Sequence, residues 1–161
     1  MTGLVFTVPG KAAPQGSKSY YRGRIVESSA ALKPWRDSVT AHAMREAGPR
    51  WQRLEGPVRV SLIFTFTRPG HHYSRGRART LLDRAPALPV TEADTDKLSR
   101  AILDALTAAR IYADDRQVTT LIAMKFYGEQ PSCMIRVDPI AEHAAALEAI
   151  GLALALEAGP S

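Results

Sequence analysis

Residues 58–66 constrain the fold more than any other segment of the chain. Val58, Val60, Leu62, Phe64 and Phe66 occupy every second position. Side chains two residues apart on a β-strand share one face, so these five define a continuous apolar face. Such a strand needs neighbouring strands for its backbone and a second layer over its apolar face. We therefore expect a sheet covered by at least one other layer.

The strongest helix signal follows shortly after this strand. Apolar side chains recur at the spacing of a single helix face, at Leu98, Ala101, Ile102, Ala105, Leu106 and Ala109. Asp94 or Asp96 is expected to cap the helix, because carboxylates accept hydrogen bonds from the free N–H groups at a helix start.

Weaker patterns outline the rest of the chain. Further elements are expected as follows: a strand over 4–8, a helix from Ser28 or Ser29 to Ala47, strands over 118–127 and 133–137, and a helix over 140–158. Pro34 is expected in the first turns of the earlier helix. Residues 68–92 form a long loop rich in Arg, His and Pro, and loops of this length are often functional. This order predicts an α+β fold in two layers with a mixed sheet.

Composition narrows the class of protein. The chain has 161 residues, of which 45% are hydrophobic, and this predicts one folded domain over 1–161. Its one cysteine, Cys133, excludes an internal disulfide and is expected in the core. Neither a signal sequence nor an apolar run near the roughly 20 residues that span a bilayer is visible. We expect a soluble, cytoplasmic protein without a membrane partner.

Positive charge is concentrated in two segments. The formal net charge is +5, with six Lys and Arg against one acidic residue over 10–36 and five Arg against one over 68–86. Beyond Arg136 there is no Lys or Arg, and the tail is acidic. This distribution predicts one side of the protein that faces phosphate groups.

Four aspartates bracket the second helix. Asp94 and Asp96 precede its apolar stripe, and Asp114 and Asp115 follow it. Helix capping by itself explains one such aspartate. Two pairs in a basic protein favour a Mg²⁺ site for phosphodiester hydrolysis, because Mg²⁺ prefers carboxylate oxygens and the basic segments would hold the polyanion.

The stretch DTDKLSRAILDALTAARIYADDRQV resembles the signature of the RusA family of Holliday-junction resolvases. That signature has three parts: an Asp-x-Asp-Asn-Leu-x-Lys helix start, an Asp-Ala-Leu, and an Asp-Asp-x-Gln-Val/Ile that enters a strand. They are matched here by Asp94 and Asp96, by Asp104-Ala105-Leu106, and by Asp114-Asp115 with Gln117-Val118. Lys125 matches a lysine on the following strand. A strand ending in proline, a basic loop with tyrosines and the Trp35-Arg36 pair extend the similarity, which covers about residues 4–127.

The resemblance implies a homodimeric endonuclease that needs Mg²⁺, with Mn²⁺ as a substitute, and nicks four-way DNA junctions symmetrically in recombination and repair. It implies Asp94, Asp96 and Asp115 as catalytic metal-binding acids and Asp114 as an auxiliary metal ligand. Residues expected to contact DNA are Lys18, Arg22, Arg24, Arg75, Arg77, Arg79, Lys97 and Lys125. A bacterial or phage origin follows from the same resemblance.

Two positions depart from the family pattern. Lys97 stands where the family has Asn, and Arg100 stands where it has the lysine that assists catalysis. Arginine keeps the charge and binds phosphate, but it does not donate a proton near neutral pH. Two alternatives therefore stay open: a branched-DNA-binding protein without catalysis, and a nuclease of the same fold that acts on other branched or flapped DNA.

The length of the second helix raises a geometric problem. A helix from Asp96 to about Ala109 is roughly 20 Å long, which places Asp94 and Asp115 near its opposite ends. An antiparallel pair of these helices across a two-fold axis would bring the acids of two subunits together. We therefore expect the site to be shared between subunits.

Two further residues are expected to have structural roles. Asp104 is expected merely to pair with Arg100 on the helix surface, and Trp35 is expected to anchor the first helix.

Overall fold

The computed structural model describes residues 3–16, 19–21, 24–26, 30–141 and 151. Its strands are β1 (Leu4–Pro9), β2 (Ser19–Tyr21), β3 (Arg24–Val26), β4 (Val58–Thr67), β5 (Val118–Gly128) and β6 (Ser132–Pro139). Its helices are α1 (Leu32–Ala47) and α2 (Thr95–Ala108), with short 3₁₀ turns at Gly70–His72 and Asp115–Gln117.

Four of the strands form one mixed sheet in the order β1-β6-β4-β5. β4 is parallel to β5 and antiparallel to β6, which is in turn antiparallel to β1. β2 and β3 make a separate antiparallel pair. The mixed sheet with two helices confirms the predicted α+β fold.

The strand predicted over 58–66 is confirmed as β4, which lies between β6 and β5 in the sheet. All five apolar positions of β4 are 0–1% exposed. The buried stripe of α2 and the buried side of α1 belong to the same core, so both helices cover this one face of the sheet. Trp35 on α1 and Cys133 on β6 are buried in that core, which confirms both predictions.

The segment β4-α2-β5 places the two ends of α2 far apart. Because β4 and β5 are parallel, α2 must run back across the sheet between them. The start of α2 therefore lies at the carboxyl end of β4, and its last turn leads to the start of β5. At 1.5 Å per residue the 14 residues of α2 span about 20 Å.

The start of α1 differs from the sequence prediction. The helix begins at Leu32 with Ala31 as its N-cap residue and has no side-chain cap, so the prediction of a cap at Ser28 or Ser29 was wrong. Pro34 lies in the first turn as predicted, where the missing N–H has no partner in the helix to lose. The pairing of β2 with β3 was not predicted at all.

Most of the helix predicted over 140–158 lies outside the described residues. Of the three positions that are described, Gly151 is helical, and Ile140 and Ala141 are not. None of the helices in the described part of the chain is long and apolar enough to span a membrane.

Candidate active site and nucleic-acid interface

The first pair of predicted metal ligands lies at the start of α2 among lysines. Asp94 is the N-cap residue, but its side chain makes no capping bond and instead accepts from Lys97 Nζ at 2.6 Å. The Lys97 ammonium, with a smaller contribution from Lys125, lowers the pKa of Asp94 below 3.8. Asp96 is exposed in the first turn. Both carboxylates are thus open to solvent, and Asp94 is held ionised.

The neighbouring segments enclose this end of α2 with further charged groups. Lys125 Nζ on β5 donates to Ala93 O at 3.2 Å, and Lys11 forms an ion pair with Glu92 at 3.0 Å. The Gln15 N–H donates to Lys97 O at 3.0 Å, so the loop after β1 lies against the helix start. The predicted DNA contacts Lys97 and Lys125 are therefore beside Asp94.

The second pair of aspartates begins a 3₁₀ turn after α2. Asp114 accepts from the Arg116 backbone N–H and Nε, both at 2.9 Å, and from Nη2 at 3.1 Å. These bonds lower the pKa of Asp114 to about 2. A metal ion would compete with Arg116 for this carboxylate, which fits an auxiliary role. Asp115 is exposed beside it.

Gln117 fixes the position of this turn. Its Oε1 accepts from the N–H groups of Ala113 and Asp114, at 2.7 and 3.2 Å. Its Nε2 donates to Leu54 O at 3.2 Å and Gly56 O at 2.8 Å. One side chain thus joins the aspartate turn to the segment before β4, which gives the glutamine of the sequence signature a structural role.

A cleft of about 460 Å³ joins the second pair to residues that were not expected to belong to the site. It is lined by Arg36, Asp104, Thr107, Ala108, Asp114 and Asp115. Asp104 forms an ion pair with Arg36 Nη1 of α1 at 3.4 Å, so the predicted pairing of Asp104 with Arg100 was wrong. The family resemblance could have indicated both residues, because Asp104 and the Trp35-Arg36 pair are among the positions that match the family pattern.

Asp96, Arg100 and Asp104 share one face of α2. Successive steps of four residues turn a helix by only about 40°, so the three side chains form a polar stripe that leads from one acidic pair toward the other. Asp96 and Arg100 are exposed, and Asp104 is half-buried. Within the described part of the chain, no carboxylate forms an ion pair with Arg100.

A single chain does not bring the predicted metal ligands together. Among the described residues, no group of three or more His, Cys, Asp or Glu side chains lies close enough to hold a metal ion. The carboxylates suit Mg²⁺ chemically, but Asp94 and Asp96 are separated from Asp115 by the length of α2, about 20 Å.

The basic loop over 68–92 is partly ordered by its own hydrogen bonds. Tyr73 and Leu81 form a β-bridge, and the Ser74 N–H donates to Thr80 O at 2.8 Å. The Ser74 and Thr80 hydroxyls are 2.9 Å apart. The turn between them exposes the three arginines predicted to contact DNA, Arg75, Arg77 and Arg79. We call residues 73–81 the arginine hairpin.

The other predicted DNA contacts are near the N-terminus. Lys18 and Arg22 lie outside the described residues, and Arg24 is described only in its backbone, as part of β3. Their predicted role stays a prediction.

An α+β fold with carboxylates at both ends of one helix and lysines and arginines around them is a nuclease-like arrangement. The sequence profile of the family described as "Endodeoxyribonuclease RusA" matches residues 9–138, and the chain belongs to this family. RusA-family proteins are endonucleases that resolve Holliday junctions, bind branched DNA and generally depend on a divalent metal. The chain is also similar to the uncharacterized protein YqaN of Bacillus subtilis (strain 168), at 24% identity over 139 residues that cover 85% of this chain and 96% of that protein.

Gln117→Ala is expected to lower the free energy of unfolding by about 1–3 kcal/mol, because four partly exposed hydrogen bonds are removed together. The free energy of unfolding of Gln117→Glu should lie between those of Gln117→Ala and the original protein. The glutamate retains an acceptor but no longer donates to Leu54 O and Gly56 O. Urea denaturation followed by circular dichroism measures these changes. The exposed Gln130 on the turn after β5 is the matched control, and equal stability of Gln117→Ala and Gln130→Ala would contradict the structural role.

Proposed function

We propose that this protein is a Mg²⁺-dependent endodeoxyribonuclease that resolves four-way DNA junctions by paired, symmetric nicks in recombination and repair. It acts as a homodimer, in the cytoplasm of a bacterium or of a bacterium infected by a phage that encodes it. The observation that carries the proposal is the pair of acidic clusters at the two ends of α2, both within the family match and both flanked by cations.

The homodimer is supported by the free edge of the sheet. β5 ends the strand order and is 11 residues long, and no other strand of the described chain pairs with its outer edge. Leu121, on the same face of the sheet as the helices, is 44% exposed at this edge. Exposed edges of this length favour pairing with another strand. A second copy of β5, related by a two-fold axis, provides an antiparallel partner.

This pairing also brings the α2 helices of two subunits side by side. α2 connects the neighbouring strands β4 and β5, so the helices of the two subunits would lie about two strand spacings apart, near 9.6 Å. Packed helices are typically separated by about 8–10 Å. The two-fold axis makes the helices antiparallel, with Asp94 and Asp96 of one subunit near Asp114 and Asp115 of the other.

The residues of the shared site divide the work as follows. Asp94, Asp96 and Asp115 would hold Mg²⁺, with Asp114 as an auxiliary ligand. When bound, the ion would supply Lewis-acid chemistry for hydrolysis of the phosphodiester. Arg100 lies on the same helix face as Asp96 and neutralises charge on the phosphate, assisted by Lys97. Lys125 holds Ala93 at the helix start and faces the DNA, together with the arginine hairpin and the basic N-terminal residues.

One observation favours a second candidate function. Arg100 occupies the position of the assisting lysine, and an arginine cannot transfer a proton near neutral pH. If that step requires proton transfer, the protein binds branched DNA without cutting it. A third candidate, cleavage of other branched or flapped DNA, is supported by the long loop over 68–92.

Nicking of a synthetic four-way junction tests the proposal. The purified protein should cut opposing strands symmetrically with Mg²⁺ and not with EDTA. Asp96→Asn should lower the rate by more than the roughly 10–100-fold typical of losing an outer-shell partner, because a direct ligand is removed. Junction binding should be retained or become tighter, since a negative charge near the phosphate is removed.

Asp37→Asn is the matched control, because Asp37 is an exposed aspartate on α1 that pairs with Lys33. It should cut at the original rate. Tight binding of the junction without cleavage would favour the second candidate, and Arg100→Lys would then be expected to restore activity. Cleavage of flaps in preference to four-way junctions would favour the third.

Mixed dimers test whether the site is shared between subunits. Asp96→Asn and Asp115→Asn proteins should each be inactive. When the two variants are refolded or co-expressed as a mixture, half of the dimers contain one subunit of each variant. Each of these mixed dimers has one intact shared site. The mixture should regain about a quarter of the intact sites and cut only one strand per junction. No recovery of nicking from a mixture shown to exchange subunits would place each site within one chain.

Salt dependence tests the arginine hairpin. Arg75→Ala combined with Arg77→Ala should weaken junction binding and reduce the slope of log K against log salt by about 0.9 for each DNA phosphate that the variant no longer neutralises. Fluorescence anisotropy between about 50 and 200 mM salt measures the slope. Arg45→Ala combined with Arg50→Ala removes the same charge from exposed positions near the end of α1 and should leave the slope unchanged. An unchanged slope in the hairpin variant would mean that the hairpin does not touch DNA.

A further inference from the structure

A second cleft, outside the two acidic clusters, lies at the carboxyl ends of β4 and β5. Its volume is about 580 Å³. It is lined by Thr67, Arg68, Tyr73, Arg79, Tyr127, Gly128 and Glu129. We call it the Arg–Tyr cleft. The roles proposed above leave most of this lining unassigned.

Two arginine–tyrosine stacks form the walls of the Arg–Tyr cleft. The Arg68 guanidinium carbon is 4.1 Å from the centre of the Tyr127 ring, and that of Arg79 is 5.0 Å from the centre of the Tyr73 ring. Arg68 also donates to Pro86 O at 2.7 Å and to Ala87 O at 3.3 Å. The Arg68 guanidinium is therefore fixed in orientation before any ligand binds.

Two features of the cleft have no explanation in the fold alone. Arg79 has a φ of +37°, a backbone conformation that costs a non-glycine residue energy and that concentrates at functional sites. The Tyr127 hydroxyl is buried without a hydrogen-bond partner in the described chain. An unpaired buried hydroxyl is unfavourable, and a bound water or ligand group would satisfy it.

The charges of the lining indicate the chemistry of the ligand. Arg68 and Arg79 attract phosphate, and no carboxylate of the described chain forms an ion pair with either. Glu129 would repel a bare anion, but its carboxylate accepts hydrogen bonds from the amino groups of a nucleobase. Guanidinium and phenol planes stack on bases. The lining therefore fits a whole nucleotide better than it fits an inorganic anion.

The cleft is close to the first acidic cluster. Lys125 contacts Ala93, the residue before Asp94, and Tyr127 follows Lys125 by two residues on the same face of β5. Two residues of strand extend about 7 Å, which corresponds to about two nucleotides of a stacked DNA strand. A strand whose phosphate lies at Asp94 would thus pass the Arg–Tyr cleft.

We propose that the Arg–Tyr cleft binds one unpaired nucleotide of the DNA strand, about two nucleotides from the phosphate that is cut. The base stacks on the guanidinium and phenol planes, and the arginines hold its phosphate. This inference rests on the proposed function, because it uses Asp94 to locate the strand. It adds a specific requirement: the branch point must supply an unpaired nucleotide at a fixed position.

A protein–DNA double-mutant cycle tests this proposal. Binding of the full-length protein to a four-way junction is measured in EDTA, while single abasic sites replace each nucleotide within three positions of the branch point. At one position the original protein should lose affinity by about 5- to 100-fold, the effect of one base stacked on an aromatic ring. Arg79→Gly should lose affinity for the intact junction and show little further loss with that abasic site. Glycine accepts the backbone conformation at residue 79, so the hairpin is retained.

Arg75→Ala is the matched control, since it removes the same charge from the same hairpin without lining the cleft. This variant should bind every junction more weakly than the original protein does. It should still show the full loss of affinity when the abasic site is introduced. Tyr73→Leu should behave like Arg79→Gly. The proposal is overturned if no abasic site weakens binding, or if its effect is undiminished in Arg79→Gly. It is also overturned if only neutral methylphosphonate linkages, and no abasic site, couple to Arg79, because the cleft then binds phosphate alone.

Nicking of the unmodified junction with Mg²⁺ is measured on the same preparations. If one abasic site is coupled to Arg79 but the junction is not nicked, the result supports nucleotide binding in the Arg–Tyr cleft and counts against the proposed nuclease activity. If the junction is nicked but no abasic site is coupled to Arg79, the cleft proposal is overturned and the proposed nuclease activity is retained.

Discussion

The parallel pairing of β4 with β5 is the constraint on which the rest of this structure depends. Parallel neighbours require a crossover, and here α2 provides it, with its apolar stripe buried against the sheet. A rigid helix of 14 residues then holds the two acidic clusters about 20 Å apart. Neither cluster can approach the other within the chain without unfolding α2, so the metal site proposed between the two clusters would need a second subunit.

Each part of the site is held by local bonds that do not need a metal. Lys97 holds Asp94, Arg116 holds Asp114, and Arg36 holds Asp104. Lys97 and Arg116 lower the pKa of Asp94 and of Asp114, so these two carboxylates stay ionised, which is the state that a Mg²⁺ ligand requires. Gln117 fixes the second cluster to the core through four hydrogen bonds. Asp94 and Asp114 are thus held in place by protein cations, with which a metal ion at these carboxylates would have to compete.

The loop between β4 and α2 carries basic residues toward the start of α2. It begins where β4 ends and returns at Asp94, so its basic residues are delivered to the helix start that carries the first acidic cluster. The arginine hairpin and the Arg–Tyr cleft both arise from this loop, the cleft together with the last residues of β5. A DNA strand bound at Asp94 as proposed would therefore meet the hairpin, the cleft and the lysines around α2 on one side of the molecule.

The amino-acid sequence was sufficient to predict β4 and α2, because both bury regular apolar stripes whose spacing is visible without a structure. It also determined the acidic residues and their family signature. Three features became visible only in the folded chain: Asp104 pairs with Arg36 rather than Arg100, α1 begins at Leu32, and Arg68 and Tyr127 form one wall of a cleft. These contacts join residues far apart in the chain, or depend on competition between nearby partners, and neither leaves a periodic pattern in the sequence.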